Sequence, residues 1–450
     1  MPRHEFPTIE HAALALESGR ASASTMVEEA LGRMAQGEGP RIFTAVHARA
    51  TREAARAMDQ LRAVGRAPSR FAGIPITVKD LFDEAGQQTR AGSVARDGAK
   101  PARASAPVIE RLQRQGFIVL GRTNMTEFAF SGLGANPHYG TPSSPWDRAT
   151  GRLPGGSSSG AAVAAADGMG FGGLGTDTGG SCRIPAALCG VVGYKPTARR
   201  VPIEGVLPLS PSLDSVGPIA RSVACCQVLD AIIAGAETPP AMPVVNLSGL
   251  RFAVLTTMVE DGMEGEVARA YARTLARLEA AGVKLEDLKL PEIERMAAIN
   301  ARGGLVAPEA YAWHRSLIAS DGPRYDPRIL KRIARGEQMS AADYLDVLRQ
   351  RAEVIAATAA RTAPYDAVIC PTVPLVPPAI AEVEEESEYN RINMLLLRNT
   401  TIANFLDRCA ISLPCHTPGE APVGLMLMSE AMGDARLLAI SAAVETLLEG

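Results

Sequence analysis

Short apolar runs alternate with amphipathic, helix-like stretches along much of the chain. Residues 74–78 and 117–120 are apolar runs of strand length, and between them Ser105 is placed to cap a helix that ends at 115. The alternation returns later, with predicted strands at 251–255, 366–370 and 423–428 and predicted helices at 264–281, at 341–362 and from 434 onward. This order favours a mostly parallel sheet with helices on its faces.

Residues 1–70 have a mainly helical pattern. Thr25 and Glu28 have the spacing of a capping box ahead of the first clear apolar stripe, and residues 47–64 predict another helix. At the other end of the chain, segment 372–388 is rich in proline and glutamate and predicts a surface loop.

Composition narrows the class of protein. The 450 residues are 46% hydrophobic and 21% charged, as in globular proteins, and the formal net charge of −3 provides no basic field for nucleic acid or an anionic membrane. The chain starts without an apolar leader pattern and has no run approaching about 18 apolar residues, so we expect a cytoplasmic protein with no membrane contact. Seven cysteines without CxxC or zinc spacing predict small buried side chains and no metal site.

The composition changes sharply in residues 151–193, where thirteen of 43 positions are glycine. Only 161–167 predicts a helix there. Ordering so flexible a backbone is costly, so we expect this segment to approach a ligand closely. Within it, residues 170–175 match the dinucleotide pattern G-x-G-x-x-G, which requires a strand before it and a helix N-terminus after it. Here a predicted helix precedes it and no acidic residue closes a suitable βαβ unit, so the match is rejected.

A second motif in that segment, residues 156–160, matches the G-x-S-x-G elbow and would make Ser158 a nucleophile. Such an enzyme needs a histidine later in the chain. His314 and His416 are the later histidines, and neither has a recognisable catalytic context, so both are interpreted as surface or packing residues.

Lysine is rare: only six of the 46 basic residues are lysines, and arginine is used elsewhere. Because a buried lysine amine can lose its proton whereas arginine cannot, a lysine in an apolar segment is a candidate base. Lys79 closes the apolar run 71–78 and fits this description. Lys195 also follows an apolar run, but Pro196 comes next and a structural ion pair is the favoured role.

Without a histidine, a serine hydrolase can use such a lysine as its base. Besides Lys79, two serine-containing segments support this chemistry, at 155–160 and 175–181. In the second, Ser181 ends a run of small residues whose backbone N–H groups can converge on one point, as an oxyanion hole requires.

These segments resemble those of the amidase signature family. The similarity runs from about 73 to 223, through 121–129, 154–166, 175–187, 190–197 and 214–221, with fainter similarity at 365–372 and 410–414. The resemblance implies a Ser–cisSer–Lys triad in which Ser181 is the nucleophile, Ser157 the bridging serine on a cis peptide and Lys79 the base. No metal or organic cofactor is implied.

The resemblance also implies roles for neighbouring residues. The backbone N–H groups of Thr178, Gly179, Gly180 and Ser181 correspond to the oxyanion hole. Ser158, Asp177 and Arg183 are expected to support the loops, the last two by pairing with the loop backbone or with each other. The segment resembling the acyl pocket consists of Ala129, Phe130 and Ser131.

The fold implied by the resemblance is a single α/β/α domain spanning 1–450, with a large mixed sheet flanked by helices. Within it, 1–70 is helical, 71–225 is the catalytic core and 226–450 is the variable, substrate-determining part. Dimers are common in the family, so a homodimer is one assembly that the resemblance allows.

The expected substrate is a small amide or carbamate, with apolar or aryl amides and urethanes favoured. This expectation rests on an apolar pocket wall made of Phe130, Leu133, Ile184, Met394 and Leu395. An unpaired arginine from the variable part would instead favour an acidic substrate; the candidates are Arg302, Arg391 and Arg398.

Two alternatives stay open. One is a hydrolase of small charged urea-like compounds such as allophanate. The other is the amidase component of a tRNA-dependent amidotransferase, which usually has an acidic residue just before the threonine of segment 399–402. Here Leu397 and Arg398 stand at that place, and no arginine-rich docking tail is visible.

Overall fold

The computed structural model describes residues 6–449. Its helices are α1 Ile9–Glu17, α2 Ala23–Met34, α3 Gly39–Ile42, α4 Ala48–Ala63, α5 Pro107–Arg114, α6 Ser159–Ala166, α7 Arg183–Cys189, α8 Val223–Ala234, α9 Gly265–Ala280, α10 Arg295–Ile299, α11 Val306–Asp321, α12 Pro327–Ala334, α13 Ala341–Thr362, α14 Glu386–Phe405 and α15 Asp434–Glu449. Its strands are β1 Phe43–Val46, β2 Pro75–Lys79, β3 Ile118–Thr123, β4 Gly172–Thr176, β5 Val192–Lys195, β6 Val216–Ala220, β7 Arg251–Leu255, β8 Lys284–Leu288, β9 Ala367–Pro371, β10 Cys409–Pro414 and β11 Gly424–Ser429.

One sheet of eleven strands holds the described chain together, in the order β1-β3-β2-β4-β6-β5-β10-β11-β9-β7-β8. The predicted strand–helix–strand units are parallel, as expected: β2 lies beside β3 and β7 beside β8. The expectation of a mostly parallel sheet is nevertheless wrong. The five pairings from β4 to β9 are all antiparallel, as is the β1–β3 pair. Periodicity predicts the strands, but their direction depends on neighbours distant in sequence.

Alternating side chains on the strands enter different hydrophobic clusters, which gives the fold three layers. In β7, Phe252 and Val254 belong to the hydrophobic cluster that includes buried residues of α1, α5, α8, α9 and α15, whereas Ala253 and Leu255 belong to the cluster that includes buried residues of α10, α13 and α14. In β3, Ile118 and Leu120 pack with α2, α4, α6 and α7. The predicted α/β/α domain with a large mixed sheet is therefore confirmed.

Two predicted helix starts are wrong. The N-cap of α2 is Ser22, whose side chain accepts the Thr25 N–H at 3.0 Å, so the helix begins one turn before the predicted capping box. Helix α5 begins at Pro107 after Ala106, and Ser105 instead accepts the Ala85 N–H at 3.0 Å. Before α2, Ser22, Ser24 and Thr25 are competing caps, whereas before α5 the one small polar residue, Ser105, is taken up by a tertiary hydrogen bond.

The glycine-rich segment contains more regular structure than predicted, since β4 and α7 accompany α6. The G-x-G-x-x-G match runs into β4 rather than into a helix N-terminus, which agrees with its rejection. Glycine is required there because a Cβ at Gly173 would lie 2.5 Å from Thr77 Oγ1 on the neighbouring strand. Glycine in this segment therefore serves the close packing of β4 against its neighbouring strands, and not only the approach of a loop to a ligand.

Two other expectations have clear outcomes. The predicted surface loop at 372–388 is wrong: most of 372–378 is buried, a 3₁₀ turn follows at Ile380–Val383, and α14 begins at Glu386. All seven cysteines are buried and free, as predicted. In the part of the chain that the structure describes, no helix is long and apolar enough to cross a membrane.

Candidate active site

The site forms where two neighbouring parallel strands end. Lys79 is the last residue of β2 and Thr176 is the last residue of β4, and these strands pair directly. Lys79 Nζ donates to Thr176 Oγ1 at 2.8 Å and to Ser157 Oγ at 2.8 Å. The sheet therefore places the predicted base against the predicted bridging serine.

Burial changes the acid–base properties of this lysine. Its side chain is 0% exposed, and the burial penalty on the charged form lowers the pKa of Lys79 to about 7. Asp177 and Asp214 act in the opposite direction but do not outweigh the burial. A large share of the Lys79 amine is consequently neutral at neutral pH.

Ser157 lies just before α6 and follows a cis peptide bond between Gly156 and Ser157. The loop is held on both sides, since Thr126 N–H donates to the Ser157 carbonyl and Gly156 N–H donates to the Gly132 carbonyl. Ser157 is fully buried. Its hydroxyl is thereby held beside Lys79.

Ser181 lies just ahead of α7 and lines a cavity of about 550 Å³. Within residues 6–449, no hydrogen bond joins Ser181 Oγ to Ser157 Oγ. Catalytic hydrogen bonds are often long before a substrate is bound. The structure thus contains the lysine–serine contact of the predicted triad, while the contact between the two serines is not formed.

The predicted oxyanion hole needs one correction. Gly180 N–H donates to Asp177 Oδ1 at 2.9 Å and is not available to a ligand. The backbone N–H groups of Thr178, Gly179 and Ser181 have no acceptor among the described residues, and these three residues line the cavity. Gly180 is required for a different reason: its φ is +134°, and a Cβ there would lie 2.1 Å from Thr400 Oγ1.

The expected pairing of Asp177 with Arg183 is confirmed. Both are 0% exposed, and Arg183 donates to both carboxylate oxygens, at 2.8 and 3.0 Å. Burial alone would raise the pKa of Asp177, but the Arg183 guanidinium outweighs it and holds this pKa at about 2. Arg183 also donates to Asn404 and to the Thr400 carbonyl, which fixes the Ser181 loop against α14.

Ser158, which the G-x-S-x-G motif would make the nucleophile, joins the loop of Ser157 to the loop of Ser181. Its N–H donates to the Ser181 carbonyl at 3.2 Å, and its hydroxyl donates to the Thr176 carbonyl at 3.3 Å.

Of the later histidines, His314 packs against Phe128 and Tyr325, and burial lowers its pKa to about 3. Its interpretation as a packing residue agrees with these contacts.

Lys195 does not make the predicted ion pair. Its amine is buried and donates to the backbone carbonyls of Pro196 and Arg408, at 2.8 and 2.7 Å. Two carbonyl dipoles therefore satisfy it where a carboxylate was expected.

Within residues 6–449, no three His, Cys, Asp or Glu side chains are grouped as a metal site would require.

A cavity of about 550 Å³ opens at Ser181. Ala129, Phe130 and Ser131 line it together with Thr178 and Gly179, so the structure brings the predicted acyl segment to the predicted oxyanion hole. Ser131 Oγ donates to Asn393 Oδ1 on α14 at 2.8 Å, which fixes that segment.

The predicted pocket wall is only partly correct. Phe130 and Met394 line the cavity, but Leu133, Ile184 and Leu395 pack into a separate buried cluster. The apolar lining comes instead from residues that the sequence did not single out, including Leu209, Leu213, Leu305, Val306, Leu397 and Phe405.

The arginines named from the sequence do not supply a free charge. Arg302 pairs with Asp343, Arg391 pairs with Glu388, and Arg398 donates to the carbonyls of Val259 and Asp261. Four other cations line the cavity, all from one short segment: Arg328, Lys331, Arg332 and Arg335. Their helical spacing is a signal in the sequence that could have identified them.

Glu127 is a further residue whose role the sequence reasoning missed. It is 1% exposed and accepts from Ser93 Oγ at 2.6 Å and from the backbone N–H of Asp326, the N-cap of α12, at 2.7 Å. Its Oε1 also lies 2.8 Å from His138 Nε2. This carboxylate therefore joins the loop that carries the acyl segment to α12.

The chain matches the family model described as "Amidase" over residues 26–438. It belongs to the amidase family. This amidase is 39% identical over 404 residues to a 2-amino-5-chloromuconic acid deaminase from Comamonas testosteroni, covering 88% of this chain and 86% of that protein. It is 32% identical over 463 residues to one of the subunits of a glutamyl-tRNA(Gln) amidotransferase from Symbiobacterium thermophilum, covering 94% of this chain and 93% of that protein.

A solved structure described as an amidase superimposes on this amidase with a TM-score of 0.88 at 30% identity, covering 98% of this chain and 99% of that one. The predicted family is thus confirmed. The protein is an enzyme, a hydrolase that acts on C–N bonds other than peptide bonds.

The buried Asp177–Arg183 pair generates a stability prediction. Arg183→Met should lower the free energy of unfolding by about 3–5 kcal/mol, because it leaves a buried carboxylate without its partner. Urea unfolding followed by circular dichroism measures the change. In the control Arg349→Met, two exposed ion pairs, with Asp346 and Glu353, are lost and the change should stay below about 1 kcal/mol. Equally small losses in both variants would contradict this account.

Proposed function

We propose that this amidase hydrolyses a carboxamide through an acyl-enzyme on Ser181, with Lys79 as the base and Ser157 as the proton relay. The observation that carries the proposal is the buried Lys79 amine, 2.8 Å from Ser157 Oγ and with a pKa of about 7. A base with a pKa near the working pH is partly in the form that can accept a proton.

The reaction follows from these positions. Neutral Lys79 takes the Ser157 proton while Ser157 takes the proton of Ser181, whose oxygen then attacks the substrate carbonyl carbon. The backbone N–H groups of Thr178, Gly179 and Ser181 stabilise the oxyanion. When the C–N bond breaks, Ser157 donates a proton to the departing nitrogen and is reprotonated by Lys79. Water then hydrolyses the ester bond to Ser181 by the same relay.

The variable part of the chain is proposed to select the substrate. Segment 71–225 supplies Lys79, Ser157 and Ser181, whereas most of the cavity lining comes from segment 226–450. Apolar or aryl amides and urethanes remain a prediction from the sequence. The cations in the cavity favour an amide that also carries an acid group. The relative from Comamonas testosteroni, whose name specifies an acid, is consistent with this preference.

The amidotransferase alternative stays open because relatives of that name match nearly the whole chain. Arg398, at the position where those proteins usually have an acidic residue, donates to two backbone carbonyls and does not line the cavity. We favour a stand-alone hydrolase, which needs no partner for turnover. A cytoplasmic location and a homodimer remain predictions.

Ser181→Ala should abolish ammonia release from a panel of primary amides by the purified chain alone, because the variant lacks the attacking oxygen. Ser158→Ala should retain measurable turnover, since Ser158 only bridges the loops. If Ser158→Ala were inactive and Ser181→Ala active, the elbow motif would be the correct interpretation. Turnover that appears only with an added partner would support the amidotransferase alternative.

The pH dependence of kcat/KM should follow the protonation of the Lys79 amine. As pH falls below about 7 the amine becomes protonated and cannot accept a proton, so kcat/KM should fall about tenfold per pH unit below 7 and level off above about 8. Burial also raises the pKa of Asp214 to about 6, so Asp214→Asn serves as the control. It should keep the fall in kcat/KM at low pH but move it to somewhat lower pH, because the Asp214 charge raises the pKa of Lys79. A fall that disappears in Asp214→Asn would assign the titration to Asp214.

Lys79→Ala should reduce kcat/KM by several orders of magnitude on amides, where the departing nitrogen needs a proton. The loss should be much smaller on nitrophenyl esters, whose leaving group departs unprotonated. Parallel kinetics on an anilide and an ester of the same acid measure the difference. Equal losses on both would remove Lys79 from the relay.

A further inference from the structure

Four cations occupy one helical face at the cavity. Arg328, Lys331 and Arg332 in α12 and Arg335 just after it recur at i, i+3, i+4 and i+7, which places them on one side of a helix. All four line the cavity that contains Ser181. The apolar residues Ile329 and Ile333 of the same helix are buried in a hydrophobic cluster.

The charge of this cationic face is not balanced within the protein. The cavity lining includes one carboxylate, Glu386, which pairs with Lys331 at 2.7 Å. Arg328 pairs with Asp326 at 3.3 Å. Arg332 and Arg335 have no carboxylate within 4.0 Å among residues 6–449. Their hydrogen bonds go to neutral oxygens, namely the Phe130 carbonyl, Asn390 Oδ1 and the Ala301 carbonyl.

The position of Arg332 is costly for a cation. Burial lowers the pKa of Arg332; Tyr389 and Asp326 act in the opposite direction without outweighing it, and the nearby Arg328 and Arg335 guanidinium groups add to the lowering. Like charges at helical spacing repel each other, and a partly desolvated charge without a counter-ion is unfavourable. A bound anion would relieve both effects.

Arg332 is also held in place by a hydrogen bond to the acyl segment. Its Nη1 donates to the Phe130 carbonyl at 2.9 Å, within the segment that resembles the acyl pocket. The start of α12 is anchored by the bond from the Asp326 N–H to buried Glu127. The guanidinium is therefore fixed beside the acyl segment.

We propose that Arg332, with Arg335 beside it, binds a carboxylate on the acyl portion of the substrate, so that the substrates are monoamides of dicarboxylic acids. This inference rests on the proposed function. A guanidinium can bind a carboxylate with two parallel hydrogen bonds, which also orients it. The apolar lining from Leu305, Val306 and Phe405 suits the hydrocarbon chain between the two carbonyl groups.

The test compares charged and neutral versions of one substrate by ammonia release. The probes are the monoamides of succinic to adipic acid and their methyl esters, in which the carboxylate charge is removed. Wild-type kcat/KM should be at least about tenfold higher for the best acid than for its ester. Arg332→Met should lower kcat/KM about 10- to 100-fold for the acid and less than about threefold for the ester. Arg332→Lys should recover part of the loss.

Arg391→Met is the matched control, because Arg391 is an exposed arginine on α14 that pairs with Glu388 outside the cavity. It should leave both substrates unchanged. If Arg332→Met is poorly folded, Arg335→Met should show the same charge-selective loss. No preference for the acid in the wild type, or equal losses on acid and ester, would overturn the inference while Ser181-dependent turnover still supports the proposed function.

A binding measurement separates the two proposals completely. Calorimetry on Ser181→Ala should show that adipate binds and the neutral diamide does not, and that adding Arg332→Met weakens adipate binding about 10-fold or more. If no amide is turned over, the proposed function fails and this binding result alone judges the carboxylate site. Adipate binding unaffected by Arg332→Met would overturn it.

Discussion

The burial of one lysine amine governs the organisation of this molecule. Lys79 loses its hydration because β2 is covered on both sides; its hydrogen bonds go to the hydroxyls of Ser157 and Thr176, and the charges of Asp177 and Asp214 offset the burial only in part. Hydroxyl groups stabilise an ammonium less well than a carboxylate would, so the pKa of Lys79 falls to about 7. A carboxylate in the place of Thr176 would hold the proton and leave no base.

The loop that carries Ser181 depends on a second buried charge. Asp177 accepts from the N–H groups of Gly180 and Cys182, and Arg183 neutralises it. With those N–H groups committed, the N–H groups of Thr178, Gly179 and Ser181 face no acceptor among the described residues. Because Arg183 also donates to Asn404 and Thr400, the same charge pair joins the catalytic core to α14, which lines the substrate cavity.

The residues proposed for the chemistry are easier to choose from the sequence than their structural surroundings. Lys79, Ser157 and Ser181 lie in short segments whose local composition is distinctive, so they could be found without coordinates. Strand directions, the choice between Ser22 and Thr25 as a cap, and the burial of segment 372–378 depend on contacts between distant residues. The cationic face of α12 is an intermediate case. Its i, i+3, i+4, i+7 spacing is present in the sequence, but that it lines the same cavity as Ser181 is a tertiary property.

The most direct test of the account is the pKa of Lys79 itself. The chain contains only six lysines, so the protein labelled with ¹³C at the lysine ε-carbon should give six resolvable NMR signals. The signal missing from Lys79→Met identifies Lys79 and separates it from Lys195, whose pKa is lowered to about 8 by burial. The account predicts that the Lys79 signal titrates near pH 7. Titration near the ordinary lysine value of about 10.4 would contradict it.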